Sequence, residues 1–178
     1  ILVTPQITMI DRLLETKLHT PLWRSDGVIR PRLMDQLQVG LKEQQKLTLV
    51  SAPAGYGKTT LITSWLYSIT EPMQNVWLSL EKSDNEPARF LSYWATAWNR
   101  MSDFDLENIL ELLDSPKLPP FQSILNEIIN ALAHQKESAV LVLDDYHIIT
   151  NSLIHEMLDY FLKHQPHQAH LVITTRSD

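Results

Sequence analysis

The sequence predicts an α/β fold, a parallel sheet sandwiched by helices with a phosphate-binding loop after its first strand. Three observations carry this. Short apolar runs alternate with amphipathic stretches, the pattern of strands joined by helical crossovers. Leu47–Ser51 runs straight into Ala52-Pro53-Ala54-Gly55-Tyr56-Gly57-Lys58-Thr59-Thr60, and an apolar helical pattern follows. Ala139–Leu143 is apolar without alternation and ends on Asp144 and Asp145, as in a strand buried on both faces of a parallel sheet.

At 178 residues the chain is long enough for one domain with a sizeable core. Its 44% apolar and 20% charged residues are ordinary globular values. A net charge of −6 lacks the basic footprint of a duplex-binding domain. The absence of cysteine excludes disulfides and thiol chemistry and suits a reducing compartment, so a cytoplasmic location is expected. The longest apolar run, Ala139–Leu143, is too short to span a membrane, and no signal peptide is visible. The chain opens on Ile1 and stops at Asp178 just after a strand. Both ends are expected to belong to a longer protein.

Residues 1–26 have weak periodicity and read as an N-terminal arm with one helical turn near Ile10–Glu15. Residues 27–178 read as a single domain without internal repeat or linker. Pro31 suits the first turn of a helix whose apolar face is Leu33, Met34, Leu37 and Leu41. Leu47–Ser51 is the first strand and Lys58–Ser68 the helix after the loop. Val76–Leu80 is the second strand. Ser83-Asp84-Asn85-Glu86-Pro87 carries helix-start signals, and Asp84 reads as a cap rather than a catalytic acid. The helix that follows places Phe90, Tyr93, Trp94 and Trp98 at helical spacing, as core or, second, as a partner surface. Asp105–Leu113 and Phe121–Ala133 are helical, separated by Pro116, Pro119 and Pro120. Ala139–Leu143, Ile154–Leu162 and Ala169–Thr175 give strand, helix and strand. His147, His155, His164, His167 and His170 match no metal spacing and are expected to face solvent.

Strand, glycine-containing loop, Lys-Thr and helix form the context a P-loop demands. The backbone from Ala52 to Thr60, through Pro53, Ala54, Gly55, Tyr56 and Gly57, can cradle phosphates at a helix N-terminus. Lys58 would reach the β- and γ-phosphates and the Thr59 hydroxyl would meet Mg²⁺. The motif usually begins with glycine. Ala52 replaces it, which is acceptable if that residue keeps a negative φ.

Asp144 and Asp145 end an apolar strand on the rim where parallel sheets bind ligands. Asp144 is the candidate Mg²⁺ carboxylate, through water, and Asp145 the group that orients the attacking water. Taken alone, both could merely end a strand or cap a turn; a phosphate loop in the same chain favours the metal. Arg176 ends the last strand on the same rim, where a guanidinium can bind γ-phosphate oxygens or stand exposed. Arg30 and Arg32 precede the first strand and read equally as nucleotide contacts or surface charges.

Ser51–Thr60 closely resembles the phosphate loop of MalT-like, LuxR-family transcriptional activators, members of the STAND class of P-loop ATPases. The resemblance continues through Val28-x-Arg30-x-Arg32-Leu33, Ser79-Leu80, Asp84-Asn85-x-Pro87-x-Arg89-Phe90, Leu143-Asp144-Asp145-Tyr146-His147 and the Thr174-Thr175-Arg176 end, covering about Lys17 to Asp178. It implies a P-loop NTPase of the additional-strand type. Ala169–Thr175 would then lie between the phosphate-loop strand and the Walker B strand, bringing Arg176 beside the γ-phosphate. The sheet would be truncated before the family's last strand, lid and winged-helix module. It also implies ATP and ADP as ligands, an ADP-bound closed form, a self-associating ATP form, and slow hydrolysis that resets the switch. The inducer would act through other domains and DNA would be bound only by a C-terminal helix-turn-helix beyond these residues. Two other readings stay open: a small-molecule kinase, which would need an acceptor pocket and usually a basic lid, and a scaffold module that binds nucleotide without turnover.

Overall fold

The computed structural model describes residues 13–23, 27–102, 105–117 and 119–177. Among these residues four strands form one parallel sheet: β1 (Leu47–Ser51), β2 (Met73–Ser79), β3 (Ser138–Asp144) and β4 (Ala169–Thr175). Their spatial order is β1-β4-β3-β2. β4 therefore separates the strand that carries the phosphate loop from the strand that carries Asp144, as the resemblance implied. Register pairs Ser51 with Thr175 and Ser79 with Asp144, so all these strand ends reach one rim.

Among the described residues six α-helices cover the two faces: α1 (Pro31–Lys42), α2 (Lys58–Ser68), α3 (Pro87–Asn99), α4 (Leu106–Leu113), α5 (Phe121–Ala133) and α6 (Ser152–His164). Alternate residues of each strand feed opposite cores, the period-2 rule at work. Val140, Val142, Val172 and Trp77 pack with Leu37, Leu61, Ile62 and Trp65 beneath α1 and α2. Ala139, Leu141, Leu143, Leu171 and Ile173 pack with α3 to α6 on the other face. There Trp94 and Trp98 bracket Phe161, with ring centroids 5.1 and 5.4 Å away. Phe90, Tyr93, Trp94 and Trp98 are all buried, so the aromatic spacing is core rather than partner surface.

In the described part of the arm a 3-10 turn spans Glu15–Leu18; of the turn expected near Ile10–Glu15, residues 10–12 lie outside the described ones. Lys17 and Leu18 are buried against the body of the fold. Leu14 N–H donates to the Tyr93 hydroxyl at 3.0 Å, and Arg100 pairs with Glu15 and donates to the Leu18 carbonyl at 3.3 Å. Farther along, Trp23 Nε1 donates to Ser64 Oγ at 3.0 Å on α2. Neither the 3-10 turn Lys82–Asn85 nor α3 has Asp84 as its N-cap: Glu81 caps the turn, where Asp84 closes a capping box by accepting from Glu81 N–H, and Glu86 caps α3, accepting from Ala88 and Arg89 N–H.

One histidine departs from expectation. His170 is buried, not solvent-facing. Its Nδ1 lies 2.6 Å from the Gln45 carbonyl and Nε2 lies 3.0 Å from Thr48 Oγ1. A carbonyl can only accept, so Nδ1 carries the proton and Nε2 accepts from Thr48. Burial holds its pKa below the ordinary histidine range. Among the described residues no helix is long and apolar enough to cross a membrane, and no three His, Asp or Glu residues group as a metal cluster.

Candidate functional site

β1 delivers the chain to the rim, and the Ala52 N–H donates to the Thr175 carbonyl at 3.4 Å. Gly55 and Gly57 have φ of 80° and 76°, the left-handed region that favours glycine. Among the described residues the non-glycine positive φ values belong to Gln44 and Asp145 alone. Ala52 thus satisfies the condition its substitution imposed. Gly57 caps α2, whose first turn has N–H groups without intrahelical acceptors. Lys58 is only 9% exposed. Its Nζ donates to the carbonyls of Ala52 at 2.8 Å and Pro53 at 3.1 Å. The ammonium is tucked into its own loop, where an incoming phosphate oxygen would offer a stronger, charged acceptor.

Beyond β4, at the end of β3, Asp144 is 8% exposed. Thr174 Oγ1 donates to its Oδ1 at 2.5 Å, and Thr59 Oγ1 lies 3.2 and 3.4 Å from its two oxygens. Burial pushes the Asp144 carboxyl above its usual range, with Asp145 adding to the rise, while the Thr174 and Thr59 hydroxyls oppose it. The Thr174 hydroxyl also accepts the Asp145 N–H at 2.9 Å. Asp145 itself is left-handed, at φ 60° and ψ 38°. Its carboxylate is 43% exposed and lies 3.7 Å from His147 Nδ1. Tyr146 next to it is pushed up to about 12 by burial, and its hydroxyl hydrogen-bonds with His155 Nδ1 at 2.7 Å.

The arginines divide. Arg30 lines a cavity of about 330 Å³ with Leu37, Tyr56, Gly57 and Lys58, and its Nη2 lies 3.8 Å from where a Cβ on Gly57 would stand. Arg32 is on the outer side of α1, away from the loop. Arg176 is exposed, one residue beyond the Thr175 carbonyl that holds Ala52. Thr60 is exposed and lines a second cavity, of about 350 Å³, with Trp23, Gly27, Thr59 and Thr63.

The family described as AAA domain matches residues 41–176, most of the chain. This chain belongs to the AAA domain family. It is also 37% identical over 163 residues to the HTH-type transcriptional regulator MalT of Vibrio parahaemolyticus, and 36% identical over 162 residues to that of Vibrio cholerae. The MalT of Cronobacter sakazakii matches at 35% over 165 residues. These alignments take in 91%, 91% and 93% of the chain but only 17%, 17% and 18% of the relatives. The crystal structure of Cdc6p from Pyrobaculum aerophilum has the same fold, with a TM-score of 0.50 at 14% identity, over 90% of this chain and 41% of that one.

Within the AAA domain, the sheet order brings Lys58, Thr59, Asp144 and Thr174 to one seam. A buried carboxylate with a raised pKa beside a threonine hydroxyl is an oxygen-rich pair that suits Mg²⁺, whose charge would relieve the burial. Thr174 is the residue that motif reading underweighted. The available signal was a hydroxyl within an otherwise apolar run, Leu171-Val172-Ile173-Thr174, on a strand bound for the rim. Asn85, which the sequence marks only within a helix-start signal and a resemblance, braces the loop after Asp145 (Asn85 Nδ2 to Ile148 O, 3.0 Å).

Proposed function

We propose that this AAA domain, residues 27–178 with 1–26 as its arm, is the ATP/ADP switch of a MalT-like, LuxR-family transcriptional regulator. Lys58 leaves its carbonyl partners for the β- and γ-phosphates, and the backbone from Ala52 to Thr60 wraps the phosphates. Thr59 and, through water, Asp144 would hold Mg²⁺, which when bound supplies positive charge to the phosphate oxygens. Asp145 orients the attacking water, Arg176 binds the γ-phosphate and reports its presence, and Arg30 closes the loop from the α1 side. Hydrolysis is slow. The ATP state favours self-association in the cytoplasm, while inducer and DNA are bound by other domains of the full protein.

The observation that carries this reading is the Thr59–Asp144–Thr174 chain of hydroxyl and carboxylate. It ties the phosphate-loop helix to the rim, the link a phosphate-bound cation needs. Calorimetric titration of wild type and Lys58→Ala with ATP and Mg²⁺ tests it. Binding should be Mg²⁺-dependent and weakened about tenfold or more by the substitution; equal affinity of the two proteins would overturn it. Transfer of the phosphoryl group to a nucleoside, instead of release of phosphate, would favour the kinase reading.

A further inference from the structure

We infer that Asn85 is the positioning residue of the Asp145 turn, and that through Asp84 and Lys17 it ties that turn to the N-terminal arm. The inference rests on the role proposed above for Asp145. That residue sits in a left-handed conformation that side-chain-bearing residues adopt only when the surroundings hold them there. One end of its segment is fixed by the sheet. Leu80 N–H donates to the Asp144 carbonyl at 3.1 Å, and Asp145 N–H to Thr174 Oγ1. The other end is fixed by Asn85. Its Oδ1 accepts from Thr150 N–H at 2.7 Å, Asn151 N–H at 3.1 Å and Thr150 Oγ1 at 3.3 Å. Its Nδ2 donates to the Ile148 carbonyl at 3.0 Å, and its own carbonyl accepts from Asn151 Nδ2 at 2.9 Å. Ile148 N–H in turn donates to the Asp145 carbonyl at 3.1 Å. Asp145, Tyr146 and His147 are therefore strung between two anchors, and Asn85 is the one outside the sheet.

That anchor is held from the arm. Asp84, the residue before it, is fully buried. It accepts from Lys17 Nζ, from Arg89 Nε at 3.2 Å and from Glu81 N–H at 2.8 Å. Lys17 is itself buried, with Nζ 4.4 Å from the centre of the Tyr93 ring. A buried carboxylate that loses a cation keeps its desolvation cost, so the 3-10 turn carrying Asp84 and Asn85 should loosen when Lys17 leaves. Undocking the arm would then release the Asp145 turn without touching the phosphate loop.

Two measurements test this. In steady-state turnover with MgATP, Asn85→Ala should lower kcat about tenfold or more and leave nucleotide affinity and KM unchanged. Asn85→Asp, which keeps the acceptor oxygen for Thr150 and Asn151, should recover part of the loss. An unchanged kcat, or a loss of affinity in step with kcat, would overturn the assignment. Amide hydrogen exchange, without nucleotide, should speed up about tenfold or more at Ile148, Thr150 and Asn151 in both Asn85→Ala and Lys17→Met. Faster exchange confined to the arm and Lys82–Asn85 in Lys17→Met would overturn the coupling. A wild-type protein without turnover would count against the ATPase reading itself, and the exchange measurement alone would then decide this proposal.

Discussion

The phosphate loop and the Asp144 rim face one another across the end of β4 and are built from different parts. The loop is backbone: two left-handed glycines, a helix N-terminus and a lysine resting on its own carbonyls. Its shape follows from local conformational rules, so it tolerates sequence change wherever φ stays negative, as at Ala52. The rim is side chain: a buried carboxylate, a buried threonine serving both aspartates, and a second threonine reaching over from α2. Its shape follows from tertiary neighbours, so each hydroxyl is hard to replace. Under the proposed function, one half would bind phosphate and the other would sense the charge on it.

The largest expected effect lies on the rim. Thr174→Val deletes the donor to Asp144 and the acceptor for Asp145 N–H together, and should destabilise the fold by about 3 kcal/mol, read by chemical denaturation. If Thr174→Val is as stable as wild type, the rim is not the tightly satisfied network described. The loop should respond less. Gly57→Ala puts its new Cβ in ordinary van der Waals contact with Arg30 at 3.8 Å and clashes with nothing, so its cost is backbone conformation alone. That is about 1–2 kcal/mol, with weaker ATP binding in the same titration.

A smaller change of opposite sign is expected at Asp145→Gly. Relief of the left-handed strain, less glycine's entropy cost, should stabilise by up to about 1 kcal/mol while turnover is lost. The mildest difference is a pH dependence. Because burial raises the Asp144 pKa in the fold, the protonated form is favoured there. Its contribution is fully present below the ordinary aspartate range and is lost as pH rises through the raised folded value. Asp144→Asn should therefore melt at a higher temperature than wild type at pH 7, with the gap closing below about pH 4. A gap that stays constant from pH 3.5 to 7 would contradict the assigned cause.

How much of this could be read from residues follows the same division. The bounds of β1, α2, α5 and β4 coincide with the expected ones, Leu47–Ser51, Lys58–Ser68, Phe121–Ala133 and Ala169–Thr175, because each is marked by strong periodicity or by adjoining turn residues. β2 starts at Met73 rather than Val76, since pairing with Ser138–Val140 carries the strand across polar Gln74 and Asn75, which no apolar pattern marks. α6 starts at Ser152, capped by Asn151, two residues before the expected start at Ile154. The lodging of β4 between β1 and β3 came from resemblance, because periodicity places no strand beside another. Phosphate-loop residues were legible from spacing alone. Thr174, Asn85 and the buried His170 were not, since each acquires its role from a partner 29 to 125 positions away.

Under the proposed function, loop and rim act on one nucleotide, the loop through phosphate and the rim through the metal. The most direct test measures ATP affinity with Mg²⁺ and with EDTA, in wild type and in Asp144→Asn. Mg²⁺ should tighten binding to wild type and do nothing for Asp144→Asn, whose metal-free affinity should match that of wild type. Equal tightening by Mg²⁺ in both proteins would contradict the claim.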